Sequence, residues 1–149
     1  MKFFIILALV ALASATKWKP KTYKEWQEVE VKCEEQHKVS PEIKEKAKIA
    51  KYLPKEQFEK NLCYMRGAEL WNDSKGYNVD GMITLIKSIP AEENIDKDSQ
   101  IDIFMKCIDN NSEGSNPIDW AYRGYKCFRD NGNLYTNLGK GKYYEEPEQ

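Results

Sequence analysis

The stretch SNPIDWAYRGYKCF, residues 115–128, clearly predicts a helix with one buried face. Asn116 is a favourable capping residue, and Pro117 suits the first helical position because an N–H there would have no partner. The apolar side chains that follow recur every three or four residues, which places them on one helix face. They are Ile118, Ala121, Tyr122, Tyr125 and Phe128. We therefore expect this helix to pack one side against the rest of the protein.

Helical periodicity continues through most of the chain upstream of this stretch. The first helix is predicted from about Thr22 to Gln36, and the spacing of Thr22 and Glu25 is that of a capping box. Four further apolar stripes, bounded by proline or by asparagine-rich and glycine-rich turns, predict helices between residues 40 and 108. No strict alternation is long enough to indicate a strand. The sequence thus predicts an all-α fold with about six short helices.

Residues 1–15, MKFFIILALVALASA, have the composition of a secretory signal peptide. They carry one basic residue, an apolar core of about ten residues and the small-x-small ending Ala13-Ser14-Ala15. No later stretch approaches the about 20 apolar residues that a transmembrane helix needs. We therefore expect cleavage before Thr16, secretion of a soluble extracellular protein without membrane insertion, and one helical domain over residues 16–130.

Residues 131–149, NGNLYTNLGKGKYYEEPEQ, are rich in glycine and asparagine and end in acidic residues. A segment of this composition is usually a solvated, mobile tail. The alternative is that its apolar residues fold back over the helical body as a lid. Those residues are Leu134, Tyr135, Leu138, Tyr143 and Tyr144.

Four cysteines, Cys33, Cys63, Cys107 and Cys127, predict two disulfides, as is usual in an exported protein of this size. They allow three connectivities, and the sequence alone does not decide between them. The cysteines stand too far apart to form the close pairs that bind zinc. We expect no metal and no other cofactor.

The composition argues against nucleic-acid binding and against catalysis. The chain carries 23 basic and 24 acidic residues, whereas proteins that bind nucleic acid show a basic patch or stripe. Its one histidine, His37, is expected to be solvated, or to act as a pH switch if it packs against Glu34 or Glu35. A serine or cysteine nucleophile would need a histidine base, and there is neither a glycine-rich phosphate loop nor an HExxH motif. We predict that the protein is not an enzyme and has no catalytic residues.

LCYMRG, residues 62–67, and the stretch at residues 115–128 follow the spacing of two known cysteine motifs. Together they resemble the insect odorant-binding protein (PBP/GOBP) family, specifically its reduced-cysteine, minus-C branch in flies, over essentially the whole mature chain. The six-cysteine form of that family carries C-x3-C in the third helix and C-x8-C in the last. Here Gly67 and Ile118 stand where those motifs would have a further cysteine. The stretch WAYRG, residues 120–124, is the most specific part of the resemblance.

The resemblance also implies a disulfide pairing. In the family the first cysteine of the chain pairs with the second member of C-x3-C, which is the position of Gly67 here. Because residues four apart share a helix face, a one-turn shift of the third helix would bring Cys63 to Cys33 instead. The resemblance therefore implies Cys33 with Cys63 and Cys107 with Cys127. Gly67 then marks either close helix packing or tolerance of a lost cysteine.

A ligand cavity among the helices is a further implication of the resemblance. Six short helices joined by two bridges cannot bury all their apolar stripes against one another, which also favours a cavity. Arg123 is our candidate for contacting a ligand's polar head group, although an arginine on a helix more often lies at the surface. The alternative for the apolar residues is that they fill a core. Those that we expect to line the cavity are Trp26, Phe58, Leu62, Met65, Met82, Leu85, Phe104, Met105, Ile118, Tyr122, Tyr125 and Phe128.

The implied function is that of a carrier for a small hydrophobic ligand such as an odorant, pheromone, fatty acid or similar lipid. Such a carrier would be a monomer or weak homodimer and would reach an odorant receptor only indirectly. One alternative is a salivary scavenger of biogenic amines from the same superfamily, which would need buried carboxylates and an aromatic cage. Another is a secreted protein that binds a protein partner, which would need an exposed apolar or strongly charged patch.

Two sequons fit N-glycosylation, Asn72-Asp73-Ser74 and Asn110-Asn111-Ser112. Both are predicted to lie in loops after a helix. The alternative is an unmodified surface turn, because asparagine suits turns by itself.

Overall fold

The structure is a computed structural model that describes residues 17–147. The predicted signal peptide at residues 1–15 lies outside the described residues. Within them the chain forms seven α-helices and two pairs of two-residue strands. The helices are α1 (Tyr23–Gln36), α2 (Pro41–Ile49), α3 (Lys55–Gly67), α4 (Val79–Lys87), α5 (Lys97–Cys107), α6 (Pro117–Asp130) and α7 (Leu134–Leu138). The strands are β1 (Lys21–Thr22), β2 (Trp71–Asn72), β3 (Gly76–Tyr77) and β4 (Tyr144–Glu145).

The all-α class is confirmed, and capping explains where two of the main helices begin. At the start of α1, Thr22 Oγ1 accepts a hydrogen bond from the backbone N–H of Glu25 at 3.3 Å. The Glu25 carboxylate in turn accepts one from the backbone N–H of Thr22 at 2.8 Å, which completes the predicted capping box. At the start of α6, Asn116 Oδ1 accepts from the backbone N–H of Asp119 at 2.9 Å. Local sequence therefore sets these two helix starts.

Helix α3 ends before the next large apolar residue, Leu70. The helix ends at Gly67 because Glu69 adopts a left-handed backbone conformation with φ 60°. The backbone N–H of Leu70 then donates to the Met65 carbonyl at 2.8 Å, closing the end of the helix. The chain turns into the antiparallel pair of β2 and β3, in which Trp71 lies opposite Tyr77.

Two disulfides join the helices in the pairing that the resemblance implies. Cys33 of α1 is bonded to Cys63 of α3, with 5.7 Å between the Cα atoms. Cys107 of α5 is bonded to Cys127 of α6, with a Cα separation of 5.5 Å. Closed loops of these lengths each contribute about 3 kcal/mol by the chain-entropy estimate.

Gly67 lies where α1 and α3 approach each other closely. A Cβ atom added at Gly67 would lie 2.3 Å from Cγ1 of Val29 on α1, which is far inside van der Waals contact. Of the two interpretations of this glycine, close helix packing is therefore the one that the geometry favours. The helices could not hold this separation with a larger residue at position 67.

The core is formed mainly by α3, α4, α5 and α6 together with α7 and the β2–β3 hairpin. Helix α2 contributes no buried residue and lies at the periphery. The largest fully buried side chains include Tyr125, Phe58, Phe104, Phe128, Leu62, Leu70, Met82, Leu85, Ile86, Ile89 and Leu134. No helix within residues 17–147 combines the length and apolar character needed to cross a membrane.

The segment after α6 packs against the helical body, unlike the solvated tail that its composition predicts. Leu134 and Leu138 of α7 are buried, with 0% and 5% of their surface exposed. Farther along, the backbone N–H of Lys142 donates to Ser88 Oγ at 2.8 Å. Strand β4 then pairs in parallel with β1, so that Tyr144 lies opposite Lys21. The segment is held because its few apolar residues meet α4, α5 and α6.

Candidate functional site

A cavity of about 280 Å³ lies between α1, α3, α4, α6 and the segment after α6. Its volume is close to the lower end of the roughly 300–1,000 Å³ range of small-molecule sites. The lining is dominated by apolar and aromatic side chains, so the cavity suits an apolar ligand. The lining residues are Trp26, Phe58, Asn61, Tyr64, Met65, Ala68, Leu70, Tyr77, Met82, Leu85, Tyr125, Phe128, Tyr135, Leu138, Gly139 and Tyr143.

Aromatic rings packed against one another form the wall contributed by α3 and α6. The ring centroids of Phe58 and Tyr125 are 5.0 Å apart, and those of Tyr77 and Phe128 are 5.4 Å apart. Contacts of this kind fix the orientation of each ring. This side of the cavity is therefore a preformed surface.

Two methionines supply an adaptable part of the lining. Met82 of α4 is fully buried, and Met65 of α3 is half-buried. The unbranched methionine side chain has three rotatable bonds and a polarizable sulfur, so it can adjust to ligands of different shape. We expect ligand shape to be accommodated here rather than at the aromatic wall.

The segment after α6 supplies another wall. Tyr135 packs edge-on against Tyr125 at a centroid distance of 4.7 Å. Tyr143 stacks on Trp26 of α1, with 5.7 Å between centroids and 22° between ring planes. Leu138 lies between them along the chain and is buried. The segment thus forms the wall of the cavity between the beginning of α1 and the end of α6.

Three of the lining tyrosines have hydroxyl groups bonded to residues outside the lining. Tyr64 donates to a carboxylate oxygen of Glu34 at 2.7 Å, and Tyr77 donates to the Ala121 carbonyl at 3.0 Å. The Tyr125 hydroxyl accepts from the backbone N–H of Leu53 at 2.8 Å. Burial raises the pKa of all three, so they stay protonated at neutral pH. Their rings border the cavity while their polar ends are engaged elsewhere.

The polar groups that remain in the lining are neutral. Asn61 Nδ2 donates to the hydroxyl oxygen of Tyr135, and Asn61 Oδ1 accepts from Gln57 Nε2 at 3.4 Å. Burial raises the pKa of Tyr135 and raises that of Tyr143 to about 12. Among the lining residues of the described chain there is no aspartate, glutamate, lysine, arginine or histidine. The cavity can therefore enclose apolar surface and form neutral hydrogen bonds.

The PBP/GOBP family matches residues 15–131 of the chain. The chain belongs to the PBP/GOBP family. It is also similar to odorant-binding protein 22 from Aedes aegypti, with 27% identity over 136 residues that cover 88% of this chain and 91% of that protein.

The PBP/GOBP match ends before part of the cavity wall. Tyr135, Leu138, Gly139 and Tyr143 all line the cavity and all follow residue 131. The wall that α1, α3, α4 and α6 provide lies inside the matched region. Part of the cavity lining therefore lies outside the residues matched by the family.

The structure brings together part of the predicted ligand-binding set and places the rest elsewhere. Leu62 and Phe104 are fully buried among other side chains, outside the lining. Ile118 and Tyr122 of α6 are half-buried against the outside of the core. The predicted residues that line the cavity are Trp26, Phe58, Met65, Met82, Leu85, Tyr125 and Phe128.

Met105 was predicted to line the cavity but lies at the surface, with 48% of its surface exposed. Its neighbour Phe104 is fully buried. Consecutive helix residues point about 100° apart, because a helix has about 3.6 residues per turn. Only one face of α5 meets the core, so this rotation turns Met105 away from it.

Arg123 does not line the cavity, contrary to its predicted role at a ligand head group. Its Nε and Nη2 atoms donate to the two carboxylate oxygens of Asp109 at 2.7 and 3.0 Å. Arg123 Nη1 also lies 3.4 Å from the Glu113 carboxylate. The arginine holds the pKa of Asp109 below its usual range, mainly through these hydrogen bonds. Arg123 thus fixes the loop before α6.

Several lining residues were missed by the sequence analysis. Asn61 and Tyr64 of α3 share the helical spacing of Phe58 and Met65, so the same periodicity would have included them if polar residues had been counted. Tyr135 and the later lining residues belong to the segment for which the lid was the alternative. No helical pattern pointed to Tyr77, because it precedes helix α4.

The two predicted sequons lie in exposed loops. Asn72 is exposed beside the turn between β2 and β3, where its Oδ1 accepts from the backbone N–H of Ser74 at 2.9 Å. Asn110 is exposed in the loop between α5 and α6.

His37 is half-buried at the end of α1, and no ion pair joins it to Glu34 or Glu35 among the described residues.

Proposed function

We propose that this protein is a secreted carrier that encloses one small hydrophobic molecule, such as an odorant, pheromone or lipid, in the cavity. The observation that carries the proposal is an apolar cavity of about 280 Å³ lined mainly by aromatic and aliphatic residues. Membership of the PBP/GOBP family and similarity to a protein named odorant-binding protein 22 support it.

Burial of apolar ligand surface is the proposed source of affinity. Enclosing about 200 Å² of ligand surface contributes on the order of 5 kcal/mol at about 25 cal/mol per Å². Part of this is lost in immobilising the ligand. The proposed contacts are the rings of Phe58, Tyr125 and Phe128 on one side and the methionines Met65 and Met82 on another. The segment after α6 acts in this proposal as the lid.

The amine-scavenger alternative receives no support from the cavity. An ammonium ion would need a carboxylate or an open aromatic cage. Within the described chain the lining holds no carboxylate, and Trp26 and Tyr143 stack on each other instead of framing a cation. The protein-partner alternative likewise gains little from the exposed large apolar residues of the described chain, which are spread over α1, α2, α4 and α5. The most exposed large apolar residue, Ile49, is 91% exposed and lies at the end of peripheral helix α2.

The test begins with native mass spectrometry of the secreted protein, followed by solvent extraction of any bound molecule. Titration with the fluorescent probe N-phenylnaphthylamine then measures binding of an apolar ligand. We expect one probe per chain, and we expect Met65→Trp to weaken its binding more than tenfold because the indole fills the cavity. Met105→Trp is the matched control, since that side chain is exposed and outside the lining.

Circular dichroism would verify that both variants retain the helical fold. Equal probe affinity in the wild type and Met65→Trp would place the probe elsewhere and contradict the proposed cavity. Failure of the wild-type protein to bind any apolar probe would contradict the carrier function itself.

A further inference from the structure

The loop between α5 and α6, residues 108–116, presents the second of the two sequons at the surface of the protein. Asn110 and Ser112 of this sequon are both exposed. The backbone N–H of Ser112 donates to Asn110 Oδ1 at 3.2 Å. Within residues 17–147, neither Asn110 Nδ2 nor the Ser112 hydroxyl group has a hydrogen-bond partner. The folded loop therefore does not account for a serine at position 112.

Side chains before and after the sequon hold the same loop to α6. The Arg123 guanidinium group donates to the Asp109 carboxylate at 2.7 and 3.0 Å and to the Ser115 hydroxyl oxygen at 3.1 Å. A Cβ atom added at Gly114 would meet no heavy atom within 4 Å, so this part of the loop stands clear of the rest of the described chain. A group attached to Asn110 would therefore extend into solvent and leave the bonds to Arg123 intact.

The other sequon, Asn72-Asp73-Ser74, differs because the turn between β2 and β3 accounts for both of its defining residues. Asn72 Oδ1 accepts hydrogen bonds from the backbone N–H of Ser74 at 2.9 Å and from the Ser74 hydroxyl group at 2.7 Å. It also accepts one from the backbone N–H of Lys75 at 3.1 Å. Asparagine commonly forms turns of this kind without any modification. The interpretation as an unmodified turn is therefore sufficient for Asn72 and Ser74.

We infer that Asn110 carries an N-linked glycan and that Asn72 is an unmodified turn residue. Asn-X-Ser is an acceptor sequence for N-glycosylation in secreted proteins. In the transfer, Asn110 Nδ2 attacks the anomeric carbon of an oligosaccharide that is linked to a lipid diphosphate. A C–N bond forms, the bond from that carbon to the diphosphate oxygen breaks, the lipid diphosphate leaves, and Nδ2 loses one proton. The inference rests on the secretion in the proposed function, and it is independent of the ligand.

The charge of the middle residue of each sequon supports the same choice. During transfer the acceptor sequence lies next to the diphosphate of the donor. Asp73 brings a negative charge to this position, and like charges at close range repel each other. Asn111 is the middle residue of the other sequon and is neutral. Transfer to Asn110 therefore avoids a repulsion that transfer to Asn72 would meet.

Expression of the full chain, residues 1–149, in insect cells tests the inference. The intact mass of the secreted protein is measured before and after treatment with peptide N-glycosidase A. We expect the protein to be heavier than its polypeptide before treatment only. Peptide mass spectra of the treated protein should show that the Asn110 side chain has been converted to aspartate. A secreted protein with the mass of the bare polypeptide would overturn the inference.

The variant Ser112→Ala removes the acceptor sequence and leaves Asn110 in place. Because Ser112 is exposed, we expect this variant to be secreted at the wild-type level without the glycan. Ser112→Thr keeps an acceptor sequence and should carry the glycan. Ser74→Ala is the matched control, since it removes the other sequon and should leave the mass of the glycan unchanged. A glycan that is lost in Ser74→Ala and kept in Ser112→Ala would lie on Asn72 and overturn the inference.

Binding of N-phenylnaphthylamine to the same samples separates this inference from the carrier function. The lining residues include none from the loop at residues 108–116, so Ser112→Ala should bind the probe within about twofold of the wild-type affinity. A secreted protein that binds the probe but carries no glycan overturns only this inference. A protein that stays inside the cell without a glycan overturns both the inference and the secretion on which it rests. Absence of probe binding refutes the carrier function, whereas the measured mass alone decides the inference.

Discussion

Tyr143 stacks on Trp26 at a centroid distance of 5.7 Å, and this contact joins the segment after α6 to the first helix. The same segment pairs with β1 two residues later, where Glu145 lies opposite Thr22. If the proposed ligand leaves the cavity on this side, these contacts must separate. We therefore expect the stacked pair to limit the rate of ligand release.

Replacing Tyr143 with alanine tests whether the stacked pair limits ligand release. A stacked aromatic pair contributes about 1 kcal/mol beyond its buried area, so we expect release of a bound apolar probe to become at least about fivefold faster. Stopped-flow dilution of the probe complex measures this rate. Val31→Ala on the outer face of α1, where the side chain is 59% exposed, is the control. An unchanged release rate in Tyr143→Ala would show that the ligand leaves by another route.

Gly67→Ala should destabilise the protein although alanine is the better helix former. The propensity gain is about 1 kcal/mol. The added Cβ would lie 2.3 Å from Val29, and overpacking of this kind costs about 1–3 kcal/mol. We expect a lower midpoint of urea unfolding, with partial recovery in the double variant Val29→Ala/Gly67→Ala. A Gly67→Ala protein as stable as the wild type would show that α1 and α3 separate freely.

Glu69→Gly should stabilise the protein. Glu69 has φ 60°, a conformation that costs a non-glycine residue about 1 kcal/mol. Its contact with Lys21 is a 3.7 Å ion pair in which the glutamate side chain is 72% exposed, so losing it has little effect. We expect a gain of about 0.5 kcal/mol after the larger unfolded-state entropy of glycine is included. Thermal unfolding measures it, and a lower melting temperature would contradict the expectation.

Arg123→Gln should lower stability without changing ligand binding. The pKa of Asp109 is depressed in the folded state, so its pairing with Arg123 stabilises the protein above the ordinary aspartate pKa. That stabilisation is lost as the pH falls through the lowered pKa. Because the Asp109 side chain is 40% exposed, we expect only about 0.5 kcal/mol at neutral pH. Urea unfolding of both proteins from neutral to strongly acidic pH measures the difference, and a difference that grows in acid would refute it.

The sequence predicts the helices better than it predicts the cavity, and α3 shows why. Leu62 and Met65 belong to the same apolar stripe, yet Leu62 is enclosed by other side chains whereas Met65 borders the cavity. Periodicity identifies the face that turns inward. Whether that face meets a side chain or empty space depends on how the other helices are placed, which no local pattern encodes.

The local sequence pattern was also insufficient to predict that the segment after α6 is ordered. Leu134 and Leu138 have helical spacing, but their helix has only five residues. A pattern of that length cannot be distinguished from chance, and the surrounding glycines and asparagines predict a solvated chain. Its order comes from distant partners such as Ser88, which receives the backbone N–H of Lys142.

The segment after α6 forms one wall of the cavity. Its late position in the chain sets the order in which the walls can be assembled. Residues 135–143 are synthesised after α1, α3, α4 and α6, which form the other walls. During synthesis the residues of the other walls are therefore available before this wall is. The cavity gains this wall only when the segment ending at Tyr143 reaches Trp26, more than one hundred residues earlier in the chain.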